Sequence, residues 1–253
     1  MAFITYLGYL LAKKQYRITS LAQGYLPLLG VLGMTALLLL KQPDFGQAVT
    51  LSATSFMLFY VAQCKGKHLL LTFSSILPVI GFLIYSKPYR VARVLSFLNP
   101  WNDPQGAGFQ IIQSLIAIGS GNVTGVGIAQ SKQKFFYLPM QHTDFIFSII
   151  AEETGFVGGC ILIALFLLFL YTGLRIASTL RDPFSYFTTI GFVLLTSLQA
   201  LINLFVATGL MPTKGLGLPF ISYGNSALLC NLVMLGLIIN FVYNNDEESA
   251  HYG

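Results

Sequence analysis

Long apolar runs separated by short polar breaks set the pattern of this chain. Segments at about 22–40, 47–63, 69–86, 146–174, 185–207 and 225–244 approach or exceed the ~20 residues that a helix needs to cross a hydrocarbon core. A shorter stretch, MAFITYLGYLLA, fills 1–12 and reads as the end of a helix belonging to a longer protein. It lacks the basic leader and small-residue cleavage pattern of a signal peptide. The pattern therefore predicts an all-α, polytopic integral membrane helical bundle forming a single domain over 1–253. The longest connection, 87–145, contains GFQIIQSLIAIGSG, which is apolar but too short and too Gly-broken to cross; it is expected at the interface or folded back into the membrane.

Composition supports the same class: 55% of residues are hydrophobic and 9% charged, against roughly 25% charged in soluble domains. Three cysteines, Cys64, Cys160 and Cys230, lie in or beside apolar segments and read as buried free thiols, with no disulfide framework or metal site. Charge adds orientation. Lys13, Lys14, Arg17, Lys65, Lys67, Arg175 and Arg181 fall on one side of the membrane, and Lys41 and Lys214 on the other. Positive charge is retained preferentially inside, so the first side is cytoplasmic and the long 87–145 loop is extracytoplasmic. That loop carries Lys87, Arg90, Arg93, Lys132 and Lys134 against only Asp103 and Asp144. Its field should attract an anion, either a phosphate-bearing substrate or the phosphates of surrounding lipid. A nucleic-acid partner is not implied, because the basic residues form no aromatic-interleaved stripe.

Candidate chemistry gathers in SKQKFFYLPMQHTDFIFSII, which starts at Ser131. Asp144 follows His142 and Thr143 and precedes an apolar run, where partial desolvation would strengthen it as a proton acceptor. The alternative is a helix N-cap. Glu152 and Glu153 lie further along; at 100° per residue they face about 80° and 180° from Asp144, so no flat carboxylate pair results, and pairing with Lys, Arg or backbone in neighbouring helices is the preferred reading for Glu153. Gly155 and Gly159 have GxxxG spacing and read as a packing face. GSGNVTGVG at 119–127 lacks the ending of a phosphate loop and is expected to be a flexible outer loop. GLMPTKGLGLPFISYGNS, 209–226, combines Pro212, Pro219 and several glycines with Lys214, an irregular stretch suited to walling the same outer cavity. In QPDFG, Asp44 reads as a turn and cap residue before a substrate ligand. Ser131 with Lys132, or His142 with Asp144, has no nucleophile-elbow context for a hydrolase.

Taken together, PWNDPQGAGFQIIQSLIAIGSG, SKQKFFYLPMQHTDFIFSIIAEETGFVGG, GLMPTKGLGLPFISYGNS and QPDFG strongly resemble the SEDS family of shape, elongation, division and sporulation proteins. The Thr213-Lys214-Gly215 pattern is most similar to its cell-division, FtsW-like branch. The resemblance implies an enzyme of about ten spans, of which this chain would lack the first three and the start of the fourth. It implies a peptidoglycan glycosyltransferase that polymerises lipid II, with Asp144 as general base. Lys132 and Lys134, with Arg93 and Lys214, would stabilise the departing diphosphate, and a divalent cation, magnesium or manganese, could share that task. No nucleotide or organic cofactor is implied. Gln110, Gln113, Ser131 and His142 would supply hydrogen bonds to sugar or phosphate. The implied partners are a class B penicillin-binding transpeptidase and other division proteins, at the septum of a bacterial inner membrane. The chain departs from the family pattern at Met140, where an acid is frequent, and at Asn225 and Ala227, where a Gly-Gly-Ser-Ser run is frequent. Two competing functions share these features: a lipid II flippase, which also needs a polar cavity and a broken helix, and a non-catalytic division scaffold.

Overall fold

The computed structural model describes residues 1–14, 18–106, 108–131 and 144–251. Among them the helices are α1 (Ala2–Lys14), α2 (Leu26–Lys41), α3 (Phe45–Val61), α4 (Gly66–Tyr85), α5 (Pro88–Leu98), α6 (Phe109–Ser120), α7 (Ile146–Ala177), α8 (Pro183–Ala207) and α9 (Asn225–His251). The stretches Leu21–Lys41, Gly66–Tyr85, Ile146–Ala177, Pro183–Ala207 and Asn225–Asn245 are long and apolar enough to cross a membrane. They coincide with five of the six long segments expected from hydropathy. The sixth is α3, apolar but 17 residues long, and 1–12 becomes α1. The connection from 87 to 145 contains α5 and α6; the latter is a 12-residue apolar helix, too short to cross.

The helices divide into two compact units. Unit 1 comprises Met1–Ser75, Leu168–Leu198 and Ser226–Gly253. Its core joins Ile4, Leu7 and Leu11 of α1 to Leu28, Leu58, Phe59, Phe192 and Val193. Small residues let the helices approach: a Cβ on Gly8 would collide with Thr188 Oγ1, and one on Gly191 with Ile4 Cγ2. Polar groups inside this unit close on local partners. Thr50, Thr54 and Ser55 donate to carbonyls one turn back, at 2.8–2.9 Å. The Tyr25 hydroxyl meets Thr72 Oγ1 at 2.9 Å while its ring stacks on His68. Asp44 is the N-cap of α3, its Oδ1 accepting from the Gln47 amide at 2.9 Å. Cys64, between α3 and α4, is buried, and burial pushes its thiol up to about 11. Cys160 and Cys230, expected inside, are exposed on their helices.

Unit 2 comprises Ile76–Leu167 and Gln199–Asn225. Phe147, Ala151, Leu204 and Ala207 form a core that Ile118 and Leu162 extend. The α5 side anchors to α4 through Arg90, whose guanidinium donates to the Leu83 carbonyl at 2.8 Å and to the Tyr89 hydroxyl at 3.0 Å.

The main departure from expectation in this unit is α7. At Gly155 its backbone turns to φ 69°, ψ −167°, a region essentially restricted to glycine. The helix breaks there, and the loop 119–127 repairs it. In an unbroken helix the Phe156 and Val157 amides would bond to the Glu152 and Glu153 carbonyls. Here those carbonyls accept from the Val126 and Gly127 amides, at 3.0 and 3.1 Å, while the Phe156 and Val157 amides donate to the Asn122 and Val123 carbonyls at 2.9 and 3.2 Å. Two lost helical bonds become four bonds to the loop, so the carbonyls and amides released by the break are paired again. Gly155 is thus a break point and not half of a GxxxG packing face, and 119–127 is a bonded clip, not a loose outer loop.

Candidate functional site

Asp144 stands in the turn that leads into α7, outside the helix, so angles counted along a helix from Asp144 do not apply to it. Phe145 and Phe147 on either side of Ile146 are buried and seat the helix start, while Asp144 itself is half-buried. Its main chain is held from α8: Asn203 Nδ2 donates to the Asp144 carbonyl at 2.8 Å and to the Leu216 carbonyl at 2.7 Å. The second bond brings up the 208–224 connection. That connection begins where Gly209 takes φ 71° and ends α8. It is tightened by the Leu216 amide bonding to the Lys214 carbonyl at 3.0 Å and by Ser222 Oγ accepting from the Leu218 amide at 2.6 Å.

This turn faces the carboxylate. A Cβ added to Gly215 would stand 3.7 Å from Asp144 Oδ2, so the main chain between Lys214 and Leu216 borders Asp144 directly. Lys214 is half-buried, and desolvation lowers its ammonium below the ordinary lysine range. Arg93 reaches the same loop from α5, its Nη1 lying 3.5 Å from the Thr213 carbonyl and its guanidinium 5.9 Å from the Tyr89 ring centre. The structure therefore gathers a carboxylate and two cations, Asp144, Lys214 and Arg93, around residues 213–216. This set can accept a proton at one point while holding an anion nearby.

Gln110 and Gln113 are half-buried on α6, which a buried hydroxyl pair ties to its neighbours. Ser114 Oγ donates to the Ala207 carbonyl at 2.6 Å and meets Ser148 Oγ at 2.5 Å, so the Ser148 hydroxyl is the donor of that pair. Ser131 is 1% exposed, and its hydroxyl donates to the Glu152 carboxylate, itself 2% exposed, at 2.5 Å. Ser131 is thus one partner of the buried Glu152 carboxylate. Lys132, Lys134 and His142 lie outside the described residues. Among the described residues no three of His, Cys, Asp and Glu group as a metal-ligand set.

Asn203 and the clip at Gly155 are the elements that sequence reasoning missed. A signal for the first was present: an Asn within the apolar run QALINLFVA is a costly residue in a spanning helix and needs a reason to be there.

The family model FTSW_RODA_SPOVE, described as "Cell cycle protein", matches residues 1–247. "Probable peptidoglycan glycosyltransferase FtsW" of Geobacter sulfurreducens is 42% identical over 240 residues, covering 95% of this chain and 64% of the relative. "Stage V sporulation protein E" of Bacillus subtilis is 43% identical over 242 residues, covering 95% and 66%. The chain thus spans about two thirds of the length of these curated relatives. A solved structure described as "Structural coordination of polymerization and crosslinking by a peptidoglycan synthase complex" superposes with a TM-score of 0.76 at 35% identity, covering 96% of this chain and 68% of that one. The crystal structure of the Thermus thermophilus rod shape determining protein RodA gives a TM-score of 0.63 at 28% identity, covering 95% and 64%.

Proposed function

This chain belongs to the FtsW, RodA and SpoVE family of cell cycle proteins, and from that premise we propose that it is the catalytic part of a peptidoglycan glycosyltransferase that polymerises lipid II during septal wall synthesis. The observation that carries the reading is the placement of Asp144 against the Lys214–Leu216 main chain, with Lys214 on that loop and Arg93 reaching it from α5. In the proposed reaction Asp144 takes the proton of the acceptor sugar hydroxyl as its oxygen attacks the donor's anomeric carbon. The bond from that carbon to the lipid diphosphate breaks, and the electron pair leaves with the diphosphate. One base suffices, because the leaving group departs as an anion and needs no acid. Lys214 and Arg93, joined by Lys132 and Lys134, stabilise the growing negative charge, which is where fixed cations lower a barrier most. Gln110, Gln113 and His142 would orient the sugars. A divalent cation would bind the diphosphate; the described residues offer no grouped ligand set for it, and no step is assigned to it.

The name of the Geobacter relative supports the activity, and the description of the solved peptidoglycan synthase complex supports a crosslinking partner. For this protein the partner would be a class B penicillin-binding transpeptidase, with other division proteins at the septum. The setting would be the bacterial inner membrane, with the 87–145 connection extracytoplasmic as the distribution of Lys and Arg requires.

The test is glycan-strand formation from lipid II by the full-length protein with its transpeptidase in liposomes, native against Asp144→Asn. The variant is expected to bind lipid II and to lose polymerisation by at least about 100-fold, the scale of general-base catalysis. Polymerisation at the native rate would overturn the mechanism and make lipid II flipping the next assay.

A further inference from the structure

Asn203 is 1% exposed on α8, within an apolar run where an amide side chain is costly unless it is bonded. Its amide nitrogen has two hydrogens, and both are used: one on the Asp144 carbonyl at 2.8 Å, one on the Leu216 carbonyl at 2.7 Å. An amide with both hydrogens engaged holds its acceptors about 4.8 Å apart, from the near-linear bonds and the fixed angle of the NH2 group. One planar group therefore sets the spacing between the turn into α7, which carries Asp144, and the turn that carries Lys214. The opposite face of the amide makes the point from the other direction. Asn203 Oδ1 is buried with no hydrogen-bond partner among the described residues. The residue thus keeps an unfavourable buried acceptor in order to present two donors. Swapping oxygen and nitrogen would set the oxygen against two carbonyls, so the orientation is determined.

We propose that Asn203 is a positioning residue for glycosyl transfer, fixing the Asp144 backbone and the Lys214 turn in one register. It touches neither sugar nor diphosphate and acts through the two main-chain segments it joins. The inference rests on the reading of Asp144 as the base. Its effect belongs in the rate of the bound complex, since base and cations are misaligned relative to each other while the binding surface persists.

The test compares native protein, Asn203→Leu, Asn203→Asp, Asp144→Asn and Thr188→Val. All are full-length, reconstituted with the transpeptidase in liposomes and assayed for polymerisation of lipid II. Asn203→Leu keeps the branched heavy-atom shape and removes both donors. Asn203→Asp keeps the shape and sets a carboxylate against two carbonyls. Thr188→Val changes an equally buried polar residue earlier on the same helix. Both Asn203 variants are expected to lose about 10- to 100-fold in kcat. Their KM for lipid II should stay within about threefold of native, because uniform binding is untouched. Thr188→Val should keep the native kcat. The proposal is overturned by native kcat in either folded Asn203 variant, by a change confined to KM, by an equal loss in Thr188→Val, or by failure of both Asn203 variants to fold, which would make Asn203 a residue of the fold alone. Asp144→Asn separates the two readings. If it is inactive while the Asn203 variants are native, only the positioning role falls; if it polymerises at the native rate, the base assignment falls.

Discussion

At Lys214, burial works against the charge that its proposed contact with a diphosphate requires. Desolvation lowers its ammonium from the ordinary lysine value near ~10.4, so the folded protein releases this proton at a lower pH than an exposed lysine would. The cation is present below that lowered value and lost as pH rises through it. Accordingly kcat/KM for lipid II should fall on the alkaline side earlier than for a site with an ordinary lysine. In Lys214→Arg, whose guanidinium does not deprotonate in this range, the alkaline limb should move upward; a pH–rate profile of the two proteins reads this directly. Residues differ in how visible such roles are in the sequence. Asp44 was legible as a cap because its partner is three positions on. Asn203 was not, because its partners lie 59 and 13 positions away, and only folding brings two main-chain segments to one amide. The place of Asp144 at the entry to α7 was legible from the change from polar to apolar residues around it; the loop that faces it was legible as irregular backbone, but its closeness to Asp144 was not.

Among the elements, α7 separates what hydropathy can report from what it cannot. The run from 146 to 174 is continuously apolar apart from Glu152 and Glu153, so length and composition predict a helix there and say nothing of a break. Gly155 and Gly159 look alike in the sequence, since either could sit on a packing face. They differ in backbone. Gly155 has a positive φ, and a Cβ there would strike the Val123 carbonyl and the Gly125 amide, whereas a Cβ on Gly159 would meet Phe147 Cζ at an ordinary 3.6 Å. Gly155→Ala should therefore lower stability by about 1–3 kcal/mol from backbone strain alone, with further loss as the clip shifts. Gly159→Ala should stay within roughly 0.5 kcal/mol of native. Thermal unfolding in detergent, followed by the helical signal, distinguishes the two. The clip itself escaped notice because a glycine-rich segment reads as flexible until its hydrogen-bond partners are known, and here those partners are carbonyls and amides of a helix interrupted about thirty positions later.

For the molecule as a whole, the bilayer made the fold class readable: spanning helices must be long and apolar, and little else in a sequence produces five such stretches. Sidedness follows from the basic residues and yields its own prediction. With the three native cysteines replaced by alanine, Asn102→Cys should react with a membrane-impermeant maleimide added outside intact cells. Lys65→Cys should react only after permeabilisation; both positions are exposed. The reverse labelling would overturn the orientation. Membrane thickness gives the break in α7 a further meaning. Unbroken, its 32 residues would extend about 48 Å, some 18 Å beyond a hydrocarbon core of ~30 Å. From Phe156 to Ala177 the continuous part measures about 33 Å and matches that core with little tilt. In the proposed orientation the bilayer acts as a ruler whose outer mark falls near Gly155, with Asp144 beyond it. A thicker or thinner membrane would move that mark, so lipid length is a physical handle on the depth of the carboxylate proposed as the base.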